Sequence, residues 1–344
     1  MNLIAIAVAL CMQQSSPAGA PTAPPVQATP PVQATPPAAP ALAAKWPRKD
    51  SEASEDIAGV VKKGTPIYKW SEGHNFTEGP ACAPDGTVYF VDIPANEILR
   101  LDPMGAKSIT TKSNATFGLY LAKDGALYGA QANPGAITRI DPSTGAISVV
   151  CDKRAQPDEK TGTALGRLND LVVDDDGGIW FTAPVLGRRR EGAPPDAVYF
   201  VGKGASEAVE VISDAKLRGP NGINLSADGK TLYVVPYLSL TIMAYPIEGP
   251  GKLGEGREFY KIPPGTRETI GGDGLAVDDK GNLYVAVPPR AAIFVISPEG
   301  KALGQIRFPE RTSNCALGGK DGKTLFVTAT SGVYAIDIDN TRAR

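Results

Sequence analysis

Residues 84–103 read PDGTVYFVDIPANEILRLDP, and most of the chain is a set of variations on that stretch. An Asp-Gly pair opens it, a β-branched and aromatic run (VYFVD, 88–92) follows, and a second run (ILRLDP, 98–103) comes after a Pro/Asn break. Turn residues between short apolar runs specify antiparallel hairpins. The same order returns after Asp124-Gly125, Asp176-Gly177, Asp228-Gly229, Lys280-Gly281 and Asp321-Gly322, with successive glycines 39, 52, 52, 52 and 41 residues apart. Runs such as IWFTAP (179–184), LYVVPY (232–237) and LFVTAT (325–330) occupy the place of VYFVD. Five units add a third run, for example ISVVCD at 147–152. With the run that precedes each turn, every unit has four strands. Six such units of roughly 40–50 residues specify an all-β, six-bladed β-propeller. The sixth unit ends after its third strand, so an N-terminal strand near Thr65–Trp70 is expected to close the last blade and remove an exposed edge.

Aligning the units on their turns exposes a second regularity. Seven residues before each Asp, or before Lys280, stand Glu78, Phe117, Asn169, Asn221, Asp273 and Asn314. Five of these six carry a side-chain oxygen, and all fall at the start of the innermost strand of a blade. One position on are Gly79, Gly118, Asp170, Gly222, Gly274 and Cys315, mostly residues that let backbone or ligand approach closely. Propeller symmetry converges this ring on the axis at one mouth. Glu78 and Asp273 would repel there unless something positive lay between them. Carboxylate and amide oxygens with water suit a hard divalent cation, Ca²⁺ best, with Mg²⁺, Mn²⁺ or Zn²⁺ as alternatives.

Composition narrows the chemistry further. The 344 residues include 35 basic and 37 acidic side chains and one histidine, with a net charge of −2. No basic field offers itself to a phosphate backbone, so nucleic acid is excluded as a partner. A lone His removes His-pair zinc motifs and leaves little room for a serine triad; no G-x-S-x-G elbow or complete P-loop exists. Residues 1–44 carry no charge at all. Within them, 1–20 reads as a signal peptide, too short in its apolar core to span a bilayer, and 21–50 as a Pro/Ala-rich linker bearing a tandem VQATPP. The expectation is an exported, monomeric protein whose propeller occupies 51–344 and which has no transmembrane span. Lipid anchoring through Cys11 is a side branch. Cys82, Cys151 and Cys315 read as small buried residues.

Five segments, FTEGP (76–80), RLND (167–170), GPNG (219–222), GDGL (272–275) and SNCA (313–316), resemble the signatures of the senescence marker protein / gluconolactonase (regucalcin-like) family of propellers. That resemblance covers about residues 65–340 and implies metal-dependent hydrolysis of a sugar lactone. Carried over position by position, it implies Glu78, Asn169, Asn221 and Asp273 as metal ligands and Arg167 as a substrate-binding residue. A metal-polarised lactone carbonyl needs an activated water, and Asp273 is the expected general base. Asp170 is expected to orient Asn169, and His74, four residues before Glu78, either lines the mouth or is a plain loop residue. Glu191, in the loop VLGRRREGAPPD (185–196), does not align with the acidic substrate-binding residue of the family, and Arg188–Arg190 reads as a solvated run. The alternative is a non-catalytic propeller acting as an exported ligand-binding or scaffold module.

Overall fold

The computed structural model describes residues 48–102, 105–110, 112–155, 163–186, 196–213, 217–265 and 270–340. The signal segment, Cys11, Arg188–Arg190, Glu191 and all of the linker except Arg48–Asp50 lie outside them.

Each expected turn forms. The six repeat glycines, Gly86, Gly125, Gly177, Gly229, Gly281 and Gly322, all take a left-handed conformation with φ between +70° and +89°. In four units the preceding aspartate caps the turn by accepting a backbone N–H two residues on, as Asp85 does from Thr87 (2.8 Å) and Asp321 from Lys323 (3.1 Å), while in the third Asp174 does so, from Asp176 (3.1 Å) and Gly178 (2.7 Å). In the fifth unit, where Lys280 replaces the aspartate, Asp278 supplies the oxygen instead, to Lys280 (3.0 Å) and Asn282 (2.8 Å). The turn thus keeps its chemistry where the motif is broken.

These hairpins assemble into six antiparallel sheets, and the protein is an all-β six-bladed propeller. The innermost strands are Thr77–Cys82, Thr116–Leu121, Leu171–Val173, Pro220–Leu225, Leu275–Val277 and Thr312–Gly318. Each touches the next in that order and the last returns to the first, so the ring is closed. In the sixth sheet Pro66–Glu72 pairs antiparallel with Gly332–Asp337, Ile67 opposite Ile336. Arg48–Glu52 adds a fifth strand outside it. Among the described residues, strand pairing therefore extends back to Arg48, inside the expected linker, where Arg48–Glu52 finds a pairing edge and Arg48 an ion pair with Glu72 (2.8 Å). Between these strands, Ile57, Val60 and Val61 are buried in one apolar cluster with residues of the fifth and sixth blades.

Two further blades exceed the four-strand plan. The third gains Lys153–Arg154, parallel to Glu207–Ile212, and Thr163–Ala164. The fourth carries a short Lys252–Leu253 offshoot. Both fall within the 52-residue spacings, whose extra length pairs back onto existing sheets.

Because Ile67 is fully buried in the closing strand while Val149 is 61% exposed on an outer strand, the two positions separate closure from general β-propensity. Ile67→Ala should lower unfolding stability by about 2–4 kcal/mol. Val149→Ala should lower it by less than about 0.5 kcal/mol. Urea unfolding followed by intrinsic fluorescence reads both.

Candidate functional site

The ring of oxygen-bearing residues forms at one mouth, and the physical cause is visible next to it. A Cβ on Gly79 would strike the carbonyl of Phe117, one on Gly118 the carboxylate of Asp170, one on Gly222 the carbonyl of Asp273, and one on Gly274 the amide of Asn314. The glycines are there for the next blade's inner strand. Adjacent strands come close enough to stitch the ring by hydrogen bonds. Thr182 Oγ1 donates to the Asn221 carbonyl (2.7 Å), Gly274 N–H to the Ser313 carbonyl (2.9 Å), and Ser313 Oγ to the Thr77 carbonyl (2.7 Å). Backbone held this tightly fixes where each preceding side chain can go.

Glu78, Asn221, Asp273 and Asn314 are buried there, and Asn169 is half-buried. Phe117, the odd member, packs against an apolar cluster shared by the first and second blades. Burial, with the nearby Asp273, pushes the Glu78 carboxyl well above its ordinary range, against donation by Gly79 N–H (2.8 Å). Burial and the charge of Asp170 raise Asp273 to about 8, opposed by a hydrogen bond from the Asn221 side chain and by the field of Arg311. Asp170 rises to about 7 through burial alone. Three buried carboxyls thus share one axis, each more comfortable with a proton or a cation than without.

The donor set fits a hard divalent ion, since it is made only of carboxylate and amide oxygens. No cluster of three or more His, Cys, Asp or Glu that could cage an ion exists among the described residues. The amide oxygens of Asn169 and Asn221 and water would therefore have to complete a shell begun by Glu78 and Asp273.

Over residues 76–331 the sequence matches the SMP-30/Gluconolactonase/LRE-like region. The chain belongs to that family. A gluconolactonase of Zymomonas mobilis is 27% identical over 318 residues, covering 84% of this chain and 85% of its own. Among solved structures, a gluconolactonase of Xanthomonas campestris shares the fold with a TM-score of 0.71 at 24% identity, covering 85% of this chain and 98% of that one. Regucalcin of Agrobacterium tumefaciens, a calcium-binding protein, does so with a TM-score of 0.63 at 20% identity, covering 79% and 92%.

Within this gluconolactonase-family propeller, Asp170 and His74 make contacts that the sequence does not announce. The Asp170 carboxylate accepts N–H groups of Leu171 (2.9 Å) and of Ile223 on the next blade, and a hydrogen bond from Asn314. It braces the ring across the axis, because its backbone lies at the glycine position where strands nearly touch. His74 Nε2 lies 2.6 Å from Ser71 Oγ and its Nδ1 is 3.8 Å from Asp92, in the order of a hydrolase triad. The second distance is too long for a hydrogen bond. Asp92 is already committed to Asn75 and Phe76. The imidazole packs edge-on against Phe90, and burial keeps it neutral by lowering its pKa. This cluster fixes the loop that launches Glu78.

Asn314 is the residue that sequence reasoning undervalued. Its amide donates to Glu78 (3.1 Å) and to Asp170, tying the first and third blades together from the sixth. The repeat alignment contained it; only geometry shows that it bridges. Tyr237 was likewise hidden, since nothing in LYVVPY distinguishes a terminal strand residue. Its phenol is held protonated by burial and by the nearby Asp273 and Glu78. All three remaining cysteines are buried thiols.

Asp170 at about 7 and Asp273 at about 8 lie above the unfolded value of 3.8, so the folded protein retains protons that the unfolded chain releases. That contribution is complete at acid pH and is lost as pH rises towards the folded values. Metal-stripped protein should therefore melt at lower temperature near pH 8 than near pH 5, and Asp170→Asn should flatten the slope. Scanning calorimetry across that range checks the sign.

Proposed function

We propose that the protein hydrolyses a sugar lactone at the ring of Glu78, Asn169, Asn221 and Asp273. The observation supporting this most strongly is the convergence of Glu78 and Asp273 as buried carboxyls on one axis, each disfavouring the other's charge. A divalent cation, Ca²⁺ by its match to these oxygens, would relieve that repulsion and supply Lewis acidity to a lactone carbonyl.

The chain's own groups then divide the work. Glu78 is fixed by Gly79 N–H and Asn314, so it is a static wall of the ring, whose carboxyl the cation would hold ionised. Asp273 is the one carboxylate with an elevated proton affinity that receives only a side-chain amide and the opposing field of Arg311. It takes the proton from the attacking water and returns it to the ring oxygen as the ester bond breaks, leaving a hydroxy acid. Tyr237, held as a neutral phenol beside it, can donate a hydrogen bond but not accept that proton at neutral pH. Arg167 lies two residues before Asn169, in the segment entering the third blade, where its guanidinium can hold a substrate oxygen. Membership of a family that includes gluconolactonase supports the reaction class.

Hydrolysis of glucono-δ-lactone, followed by pH-stat, should vanish after chelation and return with Ca²⁺, Mg²⁺, Mn²⁺ or Zn²⁺ in an order that ranks them. Asp273→Asn and Glu78→Gln should each lower kcat/KM by about a hundredfold or more. A folded, metal-loaded protein inactive on every lactone tried would overturn the enzyme reading and leave a binding module.

A further inference from the structure

Three loops that enter innermost strands carry an arginine at nearly the same register. Arg167 stands two residues before Asn169, Arg218 three before Asn221, and Arg311 three before Asn314. All three positions therefore fall on loops that lead directly into the ring of innermost strands. Each is mounted through its backbone on a neighbouring turn. Leu165, two residues before Arg167, bridges to Gly135 on the second blade, whose Cβ would strike the Gly166 carbonyl. The Arg218 carbonyl accepts Leu238 N–H (3.1 Å), beside the Gly219–Tyr237 hydrogen bond (2.7 Å). The Arg311 carbonyl accepts Thr330 N–H (3.0 Å). Arg167 and Arg311 are half-buried and Arg218 is exposed.

Among the described residues of these loops, Glu310, adjacent to Arg311, is held ionised by Lys69 (2.7 Å), Tyr334 (2.7 Å) and Ser331. The positive charge of Arg311 acts on both Asp273 and Tyr237, lowering their proton affinity. A neutral polyol needs donors and acceptors in mixture, whereas guanidinium forks offer donors only. Forks from three blades around one mouth match a carboxylate or phosphate, which they can grip bidentately.

We infer that the substrate is an anionic lactone, one whose ring bears a carboxylate or phosphate that Arg311, with Arg167 and Arg218 around it, holds over the carboxylate ring. The inference rests on the lactonase reading for its chemistry but concerns a different part of the molecule, the rim. It gives the arginines two roles, orientation of the bound ring and attraction of the anion from solution.

A matched pair of substrates isolates the effect: D-glucono-γ-lactone and the γ-lactone of D-glucaric acid differ only in a terminal hydroxymethyl or carboxylate. The wild-type protein should show kcat/KM about tenfold or more higher for the acidic lactone, chiefly through KM, and the preference should shrink in about half-molar salt. Arg311→Gln should bring the ratio of the two kcat/KM values close to one, and Arg311→Lys should restore part of it by keeping the charge. The phosphate ester of glucono-δ-lactone, compared with glucono-δ-lactone itself, tells whether phosphate is preferred to carboxylate. A wild-type ratio at or below one for both pairs, or a preference untouched by Arg311→Gln, would overturn the inference. If no lactone is turned over, the enzyme reading fails separately, and calorimetric binding of the two intact γ-lactones decides this one. Tighter binding of the acidic lactone that Arg311→Gln abolishes sustains it, and equal or absent binding sinks it.

Discussion

The close approach of neighbouring inner strands is the constraint on which this molecule depends. At Gly79, Gly118, Gly222 and Gly274 even one methyl group would meet backbone or side-chain atoms of the next blade. Six sheets can close a ring only if their innermost edges converge, and convergence at this radius leaves no room for a Cβ on the facing side. The two units without glycine solve the problem differently. Asp170 turns its carboxylate onto backbone N–H groups, and Cys315 points its thiol at the Tyr284 carbonyl (3.2 Å). Closure and the burial of Glu78, Asn221, Asp273 and Asn314 are therefore linked, because the residue before each tight contact is held with the backbone of the inner strand.

That geometry creates an electrostatic tension which the fold tolerates without resolving. Moving carboxyls into a desolvated channel disfavours their charge, and placing three of them there compounds it. Hydrogen bonds from Gly79, Leu171, Ile223, Asn221 and Asn314 offset part of the penalty. The remainder raises all three pKa values. A structural ion pair would have removed the tension by setting a lysine beside them, as Lys69 does for Glu310, whose carboxyl falls to about 2. The contrast between the two sites in one protein separates a carboxylate used for stability from carboxylates kept in readiness.

The repeat and the ring were legible in the sequence for the same reason: both recur at fixed register. Asp-Gly turns carry their own backbone chemistry, so their spacing announced six blades, and position seven before each turn announced Glu78, Asn169, Asn221, Asp273 and Asn314. What escaped was what register does not encode. Asp170 looked like a support for Asn169 because the two are adjacent in sequence, yet at the glycine position its side chain lies against the second and fourth blades. The start of the fold was drawn at residue 51 because composition changes gradually there, whereas Arg48–Glu52 is fixed by pairing with a strand that no local signal identifies as a partner. Extra strands in the third and fourth blades were similarly silent, being short segments whose pairing is set by the sheets they join.

The same distinction locates specificity. Residues of the ring are constrained from both sides, by turn register below and by close backbone contact beside them, so a change there threatens closure itself. The loops that lead into the inner strands are constrained only at their ends. Arg167, Arg218 and Arg311 occupy those loops at slightly different registers, two or three residues ahead of the ring, and each is anchored by a different turn. Irregular register is what a repeat alignment discards as noise, yet it is where one face of a symmetric scaffold can be made to recognise an asymmetric molecule. A lactone presents a carbonyl, a ring oxygen and a chain of substituents in unequal directions. The six-fold ring can meet the first of these, and only the unequal loops can tell the others apart.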